Sequence, residues 1–274
     1  MTAQIVNGKE IAKRILEEIK EEITQKKLEL TLGIIKISND QATDIYIRNK
    51  IKRANECGIK VELKEFSETV QEAEVLDQIN KFNDTQVITG FFIQTPIAKH
   101  LNLTNLTEYI DPKKDVDGMT SYNLGGLLHN RRDILVSATA VACYSILKFL
   151  EADLVGKHAV IVGRSLIVGK PLFALLLAKD CTVTLCHSKT QNLQSITKTA
   201  DILISSTGRE KLITKNHIKE GAFVIDCGSP KGEVAFDSAV SRASHITPVP
   251  GGVGPVTIAC LLKNTLKAYG LQKA

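Results

Sequence analysis

An α/β protein built on parallel sheets is the fold class this chain predicts, and three observations carry it. A β-branched run, Val160 to Val162, enters Gly163, and a second glycine, Gly169, follows six positions later beside an apolar helical stretch, Leu172 to Ala178. The first half alternates strand-like and helix-like segments, the pattern that builds a parallel sheet. At 274 residues, with 43% hydrophobic and 24% charged, the chain has room for two domains of ordinary size and is too apolar to be disordered.

The elements follow in order. Ile11, Ile15, Ile19 and Ile23 recur at helical spacing and predict a first helix that packs on a sheet. Leu28 to Ile37 reads as a strand, and Ser38, Asn39 and Asp40 supply turn and cap residues before a helical stretch that runs to Cys57 and closes at Gly58. Within it Ile47, Ile51 and Ala54 form the core face. Tyr46, Lys50 and Arg53 share another stripe at i, i+4, i+7. Strand Lys60 to Phe66, helix Val70 to Phe82 and strand Val87 to Ile93 repeat the alternation, and a further strand is read at Asp201 to Ser206. Ligands of such sheets bind at the carboxyl ends of the strands.

That rule selects a few places. Val87 to Ile93 ends at Gln94, Thr95 and Pro96, and the next loop carries Asp115, Val116, Asp117 and Gly118. Its two carboxylates serve equally as turn formers or as acceptors for an amino-heterocycle. Tyr46 and Lys50 are a solvated helix face or, with Gln94, a polar cluster at the mouth of a cleft. The turn after Val162 spells GxSxxVG, with Gly163, Arg164 and Ser165 ahead of a helix N-terminus whose free N–H groups favour a phosphate; by itself it fits an ordinary strand-turn-helix as well. The next strand, Thr182 to Cys186, is followed by His187, Ser188, Lys189 and Thr190, without the carboxylate that holds a free ribose hydroxyl in NAD sites. Hydroxyl and cationic groups there, with Arg164, suit a 2′-phosphate, so NADP is the expected cofactor. Pro248 to Pro255, PVPGGVGP, is either a turn into the last helix or a loop whose glycines let a ligand approach the backbone.

Bulk composition narrows the class. A net charge of +5 with 5% aromatics is too diffuse to argue for nucleic acid. No apolar run reaches the length of a bilayer span and the N-terminus lacks the apolar core of a signal peptide, so a cytoplasmic protein is expected. Six scattered cysteines without a CxxC pair read as buried free thiols, and no metal site is expected.

Five ordered segments, YIRNKIKRANECGI, DPKKDVDGMTSYNLGGL, GKHAVIVGRSLIVGKPLFALLL, TVTLCHSKT and ITPVPGGVGPVTIACLLKNTL, resemble the bifunctional methylenetetrahydrofolate dehydrogenase/methenyltetrahydrofolate cyclohydrolase (FolD) family from the first helix to the C-terminus. The resemblance implies an N-terminal α/β catalytic domain, residues 1–136 plus 255–274, and a Rossmann-type NADP-binding domain, residues 137–254, with a cleft between them. It implies catalytic roles for Tyr46 and Lys50, with Gln94 hydrogen-bonded to the lysine, and tetrahydrofolate contacts from Tyr46, Asp117, Pro250 and Gly251. Gly163, Arg164, Ser165, Ser188 and Ser229 are implied at the cofactor, and a homodimer is implied as the assembly. Departures are Thr95 and Ile97-Ala98 in a segment usually richer in proline, Ser137 to Ala142 in place of PCTPxG with Thr139 as helix cap, Leu166 in the glycine turn, and Ser229-Pro230 after Gly228. Two other readings are an NADP dehydrogenase of a different small substrate, and a folate- or nucleotide-binding protein without catalysis.

Overall fold

The computed structural model describes residues 2–38 and 40–273. In chain order the first elements are β1 (Gln4–Ile5), α1 (Gly8–Lys26), β2 (Leu30–Lys36), α2 (Gln41–Glu56), β3 (Ile59–Glu65), α3 (Glu72–Asp84), β4 (Gly90–Gln94), α4 (Leu103–Glu108) and α5 (Ser121–Leu128). They are followed by α6 (Ala138–Phe149), β5 (His158–Val162), α7 (Gly169–Leu177), β6 (Thr182–Cys186), α8 (Leu193–Thr197), β7 (Ile202–Ser205), β8 (Phe223–Asp226), α9 (Phe236–Ala239), β9 (His245–Ile246) and α10 (Val253–Lys273). Two compact units result, Arg14–Ala138 with Ile258–Ala274, and Met1–Lys13 with Thr139–Thr257.

The first of these units holds a three-stranded parallel sheet in the order β3-β2-β4. All seven residues of β2 are buried, as a central strand covered on both faces requires. β3 is the edge, and Lys60, Glu62, Lys64 and Glu65 charge it against pairing with another chain. Beyond β4, Phe91 forms a single parallel bridge with Asp115, so the 114–116 segment covers that side of the sheet. Below lies an apolar cluster in which Phe82 meets Phe91 edge-to-face at 5.3 Å, among Ile35, Val75, Ile79 and Ile88. β4 begins at Gly90 and not at Val87, because Val87 points into solvent outside the ladder.

The other unit is a six-stranded, all-parallel, Rossmann-like sheet in the order β1-β9-β8-β7-β5-β6. The chain builds outward from β5 in both directions, which makes the β5/β7 junction the switch point where such sheets bind ligands. Val160, Val162, Leu203, Val224 and Ile246 supply the core on one face. α6 starts at Ala138, so Thr139, expected as its cap, lies inside the first turn. Ser137, Ala140 and Ala142 in this segment are fully buried, their small side chains letting the helix pack closely. All six cysteines are free; Cys227 is partly exposed and not buried as expected, and its sulfur lies 3.4 Å from that of Cys143. Among the described residues no helix is long and apolar enough to cross a membrane.

Candidate active site

α2 begins where β2 ends, at the carboxyl edge of the three-stranded sheet. Asp40 starts the helix by accepting hydrogen bonds from Thr43 N–H (3.0 Å) and its hydroxyl (2.8 Å); Asn39, also read as a turn residue, lies outside the described residues. Lys36, at the end of β2, is buried and pairs with Asp44 of α2 (2.5 Å) and Glu65 of β3 (2.8 Å), and these two carboxylates push its pKa up. The first turns of α2 are thereby fixed to the sheet.

The helical stripe divides. Arg53 is exposed and bonds Glu56 at 2.7 Å, whereas Lys50 is only 8% exposed and Tyr46 is partly buried. Lys50 Nζ donates to Gln94 Oε1 at 2.7 Å, lies 4.3 Å from the centre of the Phe92 ring and 5.6 Å from that of Tyr46. Gln94 is itself oriented by its amide N–H donating to Thr95 O at 2.6 Å. Burial pushes the Lys50 pKa down to about 8, opposed by the charge of Asp117. Burial likewise raises Asp117 to about 6, with Lys50 acting to lower it and Asp115 to raise it. The ammonium and the carboxylate therefore titrate on either side of neutrality, the arrangement expected of groups that exchange protons.

The two acids of the DVDG loop have separate tasks. Asp115 is fully buried and accepts from Thr120 N–H (2.8 Å) and Asn123 Nδ2 (2.9 Å), which makes it a structural anchor. Asp117 is the one whose charge acts on Lys50. Two further residues hold the loop and were not found by sequence reading. Lys114 donates to the carbonyls of Phe82, Asn83 and Thr85 at 2.7–2.9 Å, satisfying the C-terminus of α3. Asn264 of α10 donates to Val116 O and Val136 O at 2.8 and 2.7 Å, beside Asp117. A polar residue in an apolar helix was the available signal for Asn264.

In the six-stranded sheet, Gly163 adopts φ +132°, and a Cβ there would lie 2.2 Å from Ser206 O. Gly169 opens α7 so tightly against this turn that a Cβ would meet Gly163 O at 2.0 Å. This is a cradle that side chains would fill, and it fits a dinucleotide phosphate at the switch point. Arg164 and Ser165 follow it, both exposed, and Ser165 Oγ accepts from Val168 N–H at 3.1 Å. Ser188 is exposed at the end of the neighbouring strand β6, brought beside the turn by the Val162–Cys186 register. Ser229 lies farther along the sheet, in the loop after β8. Pro250 and Gly251 precede α10, Gly251 at φ +107°, and the neighbouring Gly252 carbonyl packs against Gly8 at the start of α1.

Residues 6–117 match the catalytic domain of the tetrahydrofolate dehydrogenase/cyclohydrolase family, and residues 137–273 match its NAD(P)-binding domain. The bifunctional protein FolD of Thermodesulfovibrio yellowstonii is 43% identical over 283 aligned positions, covering all of this chain and 99% of that protein. The crystal structure of the bifunctional FolD methylenetetrahydrofolate dehydrogenase/cyclohydrolase from Campylobacter jejuni superposes with a TM-score of 0.94 at 36% identity, covering 98% of this chain and 99% of that one. The Trypanosoma brucei enzyme, solved with NADP and an inhibitor, gives 0.95 at 32% identity and covers 100% and 99%. With both domain patterns matched and relatives above 40% identity along its length, this chain belongs to the tetrahydrofolate dehydrogenase/cyclohydrolase family, the bifunctional enzymes of folate one-carbon metabolism.

Proposed function

We propose that this chain oxidises 5,10-methylenetetrahydrofolate with NADP and hydrolyses the 5,10-methenyl product to 10-formyltetrahydrofolate, with Lys50 as the proton-transfer group. The observation that carries the reading is the Lys50–Gln94 hydrogen bond in a site that holds the lysine pKa at about 8. NADP, when bound, accepts the hydride that leaves the methylene carbon. Tyr46 orients the folate and Asp117 accepts hydrogen bonds from its pterin ring, with Pro250 and Gly251 offering backbone to the ligand.

Hydrolysis begins as water adds to the methenyl carbon between N5 and N10. Near pH 7 about a tenth of Lys50 is neutral, enough to take the proton that the water must lose as its C–O bond forms. The C–N5 bond then breaks as the carbinol hydroxyl becomes the formyl C=O, N5 gains a proton in exchange for the one that hydroxyl releases, and the formyl group stays on N10. Gln94 keeps the amine aimed throughout by accepting one of its hydrogens.

The preference for NADP rests on the absence of a carboxylate after β6 and on the exposed Arg164 and Ser188. The NADP named in the Trypanosoma brucei structure agrees with it. Gly163, Ser165 and Ser229 complete the proposed cofactor contacts. In this reading residues 1–136 with 255–274 act as the catalytic domain and 137–254 as the NADP domain, except that β1 pairs with β9 and so joins residues 1–13 to the NADP-binding unit. We further propose a cytoplasmic homodimer joined through β6, whose outer edge ends the six-stranded sheet.

The test is a coupled assay of the purified chain with 5,10-methylenetetrahydrofolate, supplying NADP and NAD separately and following methenyl and 10-formyl products. Reduction of NADP with onward formation of 10-formyltetrahydrofolate supports the proposal. Methenyl product that accumulates and decays only at its spontaneous rate defeats the assignment to Lys50, and no reduction with either cofactor defeats the reading altogether.

A further inference from the structure

The six-stranded sheet buries two carboxylates that neither step of this chemistry uses. Asp226 and Glu233 are each 3% exposed and stand at its carboxyl end. Asp226, the last residue of β8, accepts from the N–H groups of Gly228 (2.8 Å), Glu233 (3.1 Å) and Val234 (2.9 Å). Those bonds place Glu233. Its two oxygens in turn accept from the Ser205 hydroxyl (2.5 Å), the Thr207 N–H (2.7 and 2.8 Å), the Thr207 hydroxyl (2.9 Å) and the Gly208 N–H (2.7 Å). One side chain thus gathers two hydroxyl and two backbone donors from the end of β7 and the loop that follows it.

That loop forms the wall of the glycine turn. Ser206 N–H bonds Val162 O at 2.8 Å, and Ser206 O is the atom that a Cβ at Gly163 would strike. A buried carboxylate here also constrains what the loop can do. Free backbone N–H groups at a switch point ordinarily bind phosphate, but those of Thr207 and Gly208 are already taken, and by a negative charge. The phosphates are left to the Gly163 turn and the N-terminus of α7, while the β7 loop serves as a fixed boundary.

We infer that Glu233 is the positioning residue of the NAD(P) site, setting the Ser205–Gly208 loop against the glycine turn so that the cofactor meets a preformed cradle. The inference rests on the reading of that turn as the dinucleotide site. It assigns to Glu233 an effect on cofactor affinity separable from hydrolysis, which consumes no cofactor.

The experiment replaces Glu233 with glutamine, which keeps the size but turns an NH2 group toward a ring of donors. Steady-state kinetics with NADP and methenyl hydrolysis are measured on the same preparation of the full chain. In Glu233→Gln the KM for NADP rises about tenfold relative to any change in the hydrolysis rate. Glu233→Asp keeps the charge on a shorter arm and restores part of the affinity. Thr207→Val, which removes a single donor, raises the NADP KM by about threefold and stands in if the glutamine variant does not fold. An NADP KM within twofold of wild type in the variants that fold, or a parallel loss of both activities with a lowered unfolding midpoint, overturns the inference. Wild-type protein that hydrolyses the methenyl substrate but reduces neither NADP nor NAD overturns the dinucleotide reading and the inference with it.

Discussion

Lys50 and Gln94 lie 44 positions apart in the chain and are joined by a 2.7 Å hydrogen bond between two buried side chains. Gln94 is the last residue of β4, and its register partner on β2 is Lys36. Lys36 in turn pins Asp44 of the helix that carries Lys50. The amine is therefore held from both ends, by its acceptor and by the anchor of its own helix. Such over-determination lets a buried lysine keep one geometry.

Lys50→Met removes the group assigned to take the proton from water. Methenyl hydrolysis is expected to fall at least about 100-fold while NADP affinity, measured by titration, stays near that of wild type. Hydrolysis at the wild-type rate would rule out the proton-transfer role.

The pH dependence follows from the two perturbed groups. The hydrolysis rate should rise from about pH 6, where Asp117 ionises, toward a plateau above pH 8, where Lys50 is mostly neutral. Gln94→Glu sets a carboxylate on the amine, favours the ammonium and moves the upper limb to higher pH; Asp117→Asn removes a favourable charge and moves it lower. Rate profiles of the two variants that shift the same way would contradict this account.

Stability carries the same signature. The Lys50 pKa is lowered in the fold, from 10.5 to about 8, so between those values the unfolded chain binds more protons and stability rises with pH. The Asp117 pKa is raised, from 3.8 to about 6, so across that window the native state binds more protons and stability falls as pH rises. Denaturant titrations of Lys50→Met should lose the gain between about pH 8 and 10.5.

Gly163→Ala forces a Cβ to within 2.2 Å of Ser206 O at a φ of +132°. We expect a loss of about 3 kcal/mol of stability and NADP binding too weak to measure by titration. An alanine variant with normal NADP affinity would mean that the turn is not the cofactor cradle.

Lys114→Met leaves three carbonyls at the end of α3 without their donor. Urea unfolding should show a loss of about 2–4 kcal/mol, and a change below about 0.5 kcal/mol would show that water replaces the ammonium.

What the sequence by itself determined was local. β6 spans Thr182–Cys186 as read from the sequence, Gly58 ends α2 with φ +84°, and the i, i+4 spacing put Tyr46 and Lys50 on one stripe, because period and turn chemistry act over a few residues. Tertiary structure decided which members of these local sets matter. It buried Lys50 and left Arg53 in solvent, spent Asp115 on Thr120 and Asn123 while the charge of Asp117 acts on Lys50, and fastened the DVDG loop with Asn264 from the far end of the chain. The same is true of β1 and β9, two residues each, which no periodicity could reveal and which exist because Gln4 and Ile5 meet His245 and Ile246. Burial and long-range pairing depend on partners tens to hundreds of residues away, and a window of sequence contains no record of which partner arrives.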